Sequence, residues 1–290
     1  MTDLPENVRL LRERISPCGL CPRRCGVDRP GGQVGSCRIG AEAVVASAGP
    51  HFGEEPVLVG RGGSGTIFLA GCNLACVFCQ NAEISHSADG RTLLPGQIAS
   101  VALRLEASGC ENINLVTPTH VAHALAEAVA TAREAGLTVP VVYNCGGYES
   151  VETLRLLEGL VEIYMPDFKY ADADAGRRYS RVGDYPTIAA AALGEMYRQV
   201  GPLELDERGV MRRGVLVRHL VLPGDLASSR EVIETVAQIA PGAGMNVMAQ
   251  YRPCFRAAEY PELVGRPEPG QVAALREFAW SLGLQCTEWT

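Results

Sequence analysis

What this 290-residue chain lacks narrows its nature before any motif is read. No stretch approaches the ~18 consecutive apolar residues of a membrane-spanning helix, so no membrane partner is expected. The start of the chain, Met1-Thr2-Asp3-Leu4-Pro5-Glu6-Asn7, has neither a basic patch nor an apolar run behind it, and a secretory signal is therefore not expected. The formal net charge is −7, without the clustered Lys and Arg that a duplex-binding surface needs, so nucleic acid is not an expected partner. The glycine-rich run Gly60-Arg61-Gly62-Gly63-Ser64-Gly65 lacks the lysine and following helix of a phosphate-binding loop and reads as a connection into a strand. A disulfide scaffold is excluded as well, because such frameworks belong to small secreted domains. Seven of the eleven cysteines instead fall in two clusters, as metal sites do, and a reducing cytoplasm is the expected compartment.

The first cluster to consider is Cys72-x3-Cys76-x2-Cys79, which follows the apolar run Thr66-Ile67-Phe68-Leu69-Ala70 and so lies on a loop leaving a buried strand. Iron–sulfur clusters are held by cysteine thiolates, usually four. Three local thiols can hold three irons of a [4Fe–4S] cube and leave the fourth iron to a ligand that is not protein. A zinc site or a set of merely buried thiols would be the alternatives, but structural zinc takes four closed ligands, commonly in paired arrays. The second cluster, Cys18-x2-Cys21-x3-Cys25-x11-Cys37, offers four thiols that could close on zinc or hold an auxiliary [4Fe–4S] cluster.

With Phe78 preceding the third cysteine, Cys72-x3-Cys76-x-Phe78-Cys79 resembles the signature of the radical S-adenosylmethionine (SAM) superfamily. That resemblance implies a [4Fe–4S] cluster on Cys72, Cys76 and Cys79 whose open iron is chelated by SAM. It also implies reductive cleavage to a 5′-deoxyadenosyl radical that abstracts hydrogen from a substrate.

From residue 66 onward, short apolar runs alternate with helical stripes, the pattern of β/α units around a parallel sheet. Strands are predicted over 66–70, 112–117, 139–143, 161–166, 214–222 and 245–251. Helical stripes fall at Ile98–Leu105, Val121–Ala132, Val151–Leu157, Ile188–Gln199, Val232–Ile239 and Leu275–Leu282. Ser228-x-x-Glu231 reads as a capping box for the fifth of these. Ahead of the barrel, residues 1–15 read as a short amphipathic helix, and Ala43–Ala48 and Pro56–Val59 have strand-like composition. The predicted fold is α/β: an open, partial (β/α)6 barrel over 61–290, preceded by a small Cys-rich metal-binding segment over 1–60. In such barrels the chemistry sits at the carboxyl ends of the strands. Polar residues gather there: Thr117 and Thr119 after the second strand, Asn144 in the third, Asp167 and Lys169 after the fourth, Arg218 in the fifth.

Within the superfamily, Cys79-Gln80-Asn81, Asp167-x-Lys169 and Arg218-His219-Leu220-Val221-Leu222-Pro223-Gly224 resemble the pyruvate formate-lyase activating enzyme and its activase-like relatives with a leading four-cysteine segment. Carried over by position, Lys169 would bind the SAM carboxylate, Arg218 would contact SAM, and Asn144 and Asp167 would lie near its methionine portion or a bound cation. Asn81, Thr117 and Thr119 complete the expected cofactor-binding set. The Gly-Gly-Glu that accepts from the SAM ammonium in that family is absent, and Thr117-Pro118-Thr119-His120 stands in its place. The resemblance implies an oxidoreductase served by an electron donor such as flavodoxin or ferredoxin, with a glycine in a partner protein as substrate. The alternatives are radical modification of a peptide or small metabolite, and a zinc-binding module without catalysis.

Overall fold

The computed structural model describes residues 4–286. Helix α1 (Glu6–Glu13) buries Val8 and Leu11, three residues apart on one face. Strand β1 (Ala43–His51), the helical turn α2 (Pro56–Val59) and strand β2 (Ser64–Leu69) lead into the first-noted cysteine loop. Beyond that loop lie the short α3 (Ala82–Ser85) and β3 (Arg91–Leu93). Regular alternation follows: α4 (Pro95–Ala107), β4 (Ile113–Val116), α5 (Ala122–Glu134), β5 (Val141–Cys145), α6 (Val151–Leu156) and β6 (Ile163–Pro166). Two helices, α7 (Ala173–Ser180) and α8 (Tyr185–Val200), precede β7 (Glu204–Leu205) and the long β8 (Met211–Leu220). The last elements are α9 (Ser229–Ile239), β9 (Gly244–Met248), α10 (Pro269–Ser281) and β10 (Gln285–Cys286).

The strands form one sheet in the order β10-β9-β8-β6-β5-β4-β2-β1-β3, with β7 paired on β8. β2, β4, β5, β6, β8 and β9 are parallel neighbours, and they are the six strands predicted from the apolar runs. The sheet stays open. β10 extends one edge in parallel, and at the other β1 lies antiparallel to β2 and β3 antiparallel to β1.

Three local expectations change. Pro56–Val59 is a helical turn, not a strand, with Pro56 at its first position, where a missing N–H costs nothing. The capping box at Ser228 does not form: Ser228 takes a left-handed conformation (φ 51°), and Asp225 Oδ1 accepts from the Ser229 N–H at 3.0 Å instead. Helix α7, which the apolar pattern did not announce, starts at Asp172, whose carboxylate accepts from the N–H groups of Asp174 and Ala175.

Period-two alternation sorts the strand side chains onto two faces. Ile67, Leu69, Ile113 and Leu115 pack under α4 and α5, while Tyr143, Tyr164, Val217 and Val247 belong to the larger cluster under the remaining helices. The inner face is apolar only at the base, where Leu58 of α2 joins Val142, Ile163, Met165, Leu203, Met211 and Leu216. Helix α2 thus plugs the amino-terminal end of the barrel. Residues before 60 share the common core, since Val8, Leu11, Ile15 and Leu20 belong to the largest cluster and β1 to the sheet.

Candidate functional site

Above the α2 plug the inner face turns polar, and strand register decides which groups meet. Asn144 pairs with Met165 across β5 and β6, Asp167 bridges to Arg218, and Arg218 stands beside Asn246 on β9. The Arg218 guanidinium donates to Asp167 Oδ1 (3.0 Å) and Asn144 Oδ1 (2.8 Å). Lys169 Nζ donates to the other Asp167 oxygen at 2.6 Å. Burial by itself would raise the Asp167 pKa, but the flanking Lys169 and Arg218 charges override it and hold the carboxyl below its usual range. Burial by itself would lower the Lys169 pKa, yet the ionised Asp167 beside it overrides this and keeps the ammonium charged.

Two carboxylates that the sequence reading passed over form the floor. The turn between β1 and α2 inserts Glu54 and Glu55 into the barrel, 8% and 3% exposed. Glu54 accepts from Asn114 (2.8 Å), Asn144 (3.3 Å) and Arg218 (3.4 Å), and Glu55 accepts twice from Asn246 (3.0 and 2.8 Å). Burial raises the Glu55 pKa against the pull of Arg218 and Asn246. Their signal was available: two adjacent acids in Gly53-Glu54-Glu55-Pro56, directly before an apolar turn that needs burial.

The cysteine loop caps this polar interior. Cys72, Cys76, Cys79 and Asn81 border one cleft of about 240 Å³ together with Thr117, Asn144, Asp167, Lys169 and Arg218. The strand-end residues and the three thiols therefore do meet, with one exception. Thr119 lies outside the cleft, fully buried, with its hydroxyl donating to Glu149 at 2.5 Å. Thr117 reaches the cleft because its backbone turns to φ 62°, a strained conformation for a β-branched residue. The chain then descends away from the mouth, which carries Thr119 and His120 with it.

Each thiol of the loop has a hydrogen-bond partner. The Leu74 N–H donates to Cys72 Sγ (3.4 Å), Ser180 Oγ lies 2.9 Å from Cys76 Sγ, and Ser85 Oγ 3.4 Å from Cys79 Sγ. Ser180 is itself held by the Tyr170 hydroxyl at 2.8 Å. Burial pushes the Cys72 thiol up to about 12, with Cys76 and Cys79 close enough to add to the effect. No disulfide forms among the described cysteines, and Cys145, which borders the cleft at the end of β5, is buried with its thiol against Glu149.

The amino-terminal cysteines make a second gathering. Cys18, Cys21, Cys25 and Cys37 border a small cavity with Arg29, Asn73 and His120. A Cβ on Gly35 would lie 2.8 Å from Cys25 Sγ, so the backbone can approach this thiol only as glycine. Among the described residues, no three His, Cys, Asp or Glu side chains are drawn around one point closely enough to hold a single ion. Arg23 joins the two cysteine segments: its Nε donates to the Asn73 carbonyl at 2.8 Å and its Nη1 to that of Arg181 at 3.1 Å.

The donor sets suit the groups the sequence suggested. Three thiols, a lysine and an arginine around an open cleft fit a cluster with one free coordination position and a zwitterionic ligand beside it. The four amino-terminal thiols border one cavity and offer the donor chemistry of a metal centre, but no three of them are drawn to one point.

The family described as the radical SAM superfamily matches residues 66–195. An uncharacterized protein of Methanocaldococcus jannaschii, MJ0674, is 32% identical over 280 residues, a match covering 94% of this chain and 77% of that protein. Among solved structures, HydG, a maturase of the [FeFe]-hydrogenase, matches with a TM-score of 0.47 at 12% identity, over 77% of this chain and 55% of HydG.

Proposed function

The chain belongs to the radical SAM superfamily, and from that premise we propose that it is an enzyme whose Cys72, Cys76 and Cys79 hold a [4Fe–4S] cluster beside bound SAM. The observation that carries this is the single cleft shared by those three thiols and by Asn144, Asp167, Lys169 and Arg218. Held by Cys72, Cys76 and Cys79, such a cluster would supply reductive cleavage of SAM and through it radical hydrogen abstraction from a substrate. Membership in the superfamily implies that cofactor pair; the rest is what the chain's own residues do.

Lys169 keeps its charge in a buried setting and has donors left after its bond to Asp167, which suits it to the SAM carboxylate. Asp167 and Asn144 hold Lys169 and Arg218 in place, and Glu54 fixes Arg218 from below. In place of the missing Gly-Gly-Glu, the acceptors offered to an ammonium are the Thr117 hydroxyl and the carbonyls of that strained turn.

The finer reading is an activase-like oxidoreductase that takes hydrogen from a glycine in a partner protein. What supports it is a wide depression of about 410 Å³ that shares Cys79, Gln80 and Asn81 with the cleft and is edged by exposed Phe255, room for a peptide segment rather than only a small metabolite. This role calls for a low-potential donor such as flavodoxin or ferredoxin and a reducing compartment such as the cytoplasm. The four-cysteine segment would hold zinc or an auxiliary cluster.

Anaerobic reconstitution with iron and sulfide, then dithionite and SAM, tests the proposal. We expect 5′-deoxyadenosine from the wild type and none from Cys76→Ala. Zinc uptake without SAM cleavage in the wild type would instead indicate a non-catalytic zinc module.

A further inference from the structure

We propose that His120 is a ligand of the amino-terminal cysteine centre, its Nδ1 entering the metal's shell in place of one of the thiolates of Cys18, Cys21, Cys25 and Cys37. This rests on the reading that the four-cysteine segment binds metal and goes beyond it in naming the donor set.

His120 is 2% exposed and borders the same cavity as the four thiols. Its Nε2 lies 2.8 Å from the Ala70 carbonyl oxygen. A carbonyl can only accept, so Nε2 carries the ring proton and Nδ1 of the neutral ring presents a lone pair. That Nδ1 is buried and has no hydrogen-bond partner among the described residues. Buried acceptors left unmet are costly and uncommon. Metal binding does not relieve this through the cysteines, because thiolates have no hydrogen to give and repel a facing lone pair. A cation in the cavity would, with the thiols and the ring drawing together around it.

The remaining contacts are those of a ligating imidazole. Metal-bound histidines characteristically donate the other ring N–H to a carboxylate or backbone carbonyl, which fixes tautomer and ring orientation. The Ala70 carbonyl fills that role. The backbone of His120 is also pinned, since Arg29 Nη1 donates to its carbonyl at 2.6 Å while the Arg29 Nε donates to Gly40 at 2.8 Å. Ala70 lies two residues before Cys72, so the same ring ties the amino-terminal centre to the loop that carries the three-cysteine motif. His123 provides an internal contrast. It too has an unpartnered, buried Nδ1 and donates from Nε2 to Ala41 (2.7 Å), but it does not border the thiol cavity.

The test uses the full-length protein with Cys72, Cys76 and Cys79 replaced by Ser, so that metal is read at the amino-terminal centre alone. It is loaded with zinc, or with iron and sulfide, and studied by metal analysis and X-ray absorption at the edge of the bound metal. We expect imidazole scattering alongside sulfur, lost in His120→Gln and kept in His123→Gln, with affinity in chelator competition falling at least about tenfold in His120→Gln. Bound metal with an all-sulfur shell would overturn the assignment of His120 and leave the four-cysteine reading intact. No bound metal would overturn both. Should His120→Gln fail to fold, the shell measured with His120 in place decides the matter by itself.

Discussion

Lys169 is the one lysine of the chain, against 25 arginines. In a sequence that otherwise places arginine wherever it needs a cation, a compact ammonium at the end of β6 marks a position where the planar, forked guanidinium does not serve. The structure places that ammonium in the cleft, 2.6 Å from Asp167 and on the same cleft as Cys76. Lys169→Ala should weaken SAM binding by the worth of a charge-assisted hydrogen bond, about 2 kcal/mol or roughly thirtyfold. Equilibrium dialysis of the reconstituted, unreduced protein measures this, and unchanged affinity would remove Lys169 from the binding set. Lys169→Arg should recover only part of the loss. The lysine count was legible from the start. What Asp167 does was not, because its two oxygens are divided between neighbours 2 and 51 residues away, and only folding brings the second one in.

At the scale of elements, the six parallel strands and most of the helices were readable because a strand buried on both faces is a plain apolar run and a helix shows a 3.6-residue stripe. α2 escaped, since four residues are too few for a period. Its role is fixed by contacts distant in sequence: Leu58 is fully buried at the base of the barrel among residues of β5, β6 and β8. Leu58→Ala should therefore cost about 2–5 kcal/mol, as other large-to-small changes in closed cores do. Urea denaturation of the variant measures it, and a loss well under 1 kcal/mol would show that the plug is not seated. The antiparallel β1–β3 pair escaped as well, because β3 is three mostly exposed residues with no apolar signature.

For the molecule as a whole, buried titratable groups set opposing pH dependences. His219 is fully buried, donating from Nδ1 to the Phe168 carbonyl (2.7 Å) and accepting at Nε2 from Ser229 (2.9 Å). Burial lowers its pKa from the usual 6.5 to about 4. The unfolded chain then takes up a proton below 6.5 that the folded chain refuses until about 4. Stability present above 6.5 is lost as the pH falls through that window, on the order of 3 kcal/mol at most. Glu149 runs the other way. Burial raises its pKa from 4.5 to about 8, so its contribution is complete below 4.5 and lost as the pH rises through 8. In His219→Gln, the pH slope of the unfolding free energy between 6.5 and 4 should fall by about one proton relative to wild type, measured by urea denaturation at several pH values. An unchanged slope would mean that His219 is not held neutral.

The sequence by itself determined the chemistry on offer: two sets of closely spaced thiols, alternating units that can only form a mainly parallel sheet, and polar residues at the strand ends. Those are local facts, carried by spacing and periodicity. Tertiary structure decided which groups share a space. Strand register set Asp167 against Arg218, the β1–α2 turn carried Glu54 and Glu55 beneath them, and the strained turn at Thr117 kept one threonine in the cleft while sending Thr119 to Glu149 and His120 to the other cysteines. Such pairings join residues up to 191 positions apart, and no local pattern encodes them, because they are chosen by how buried charges and polar groups find partners once water is gone.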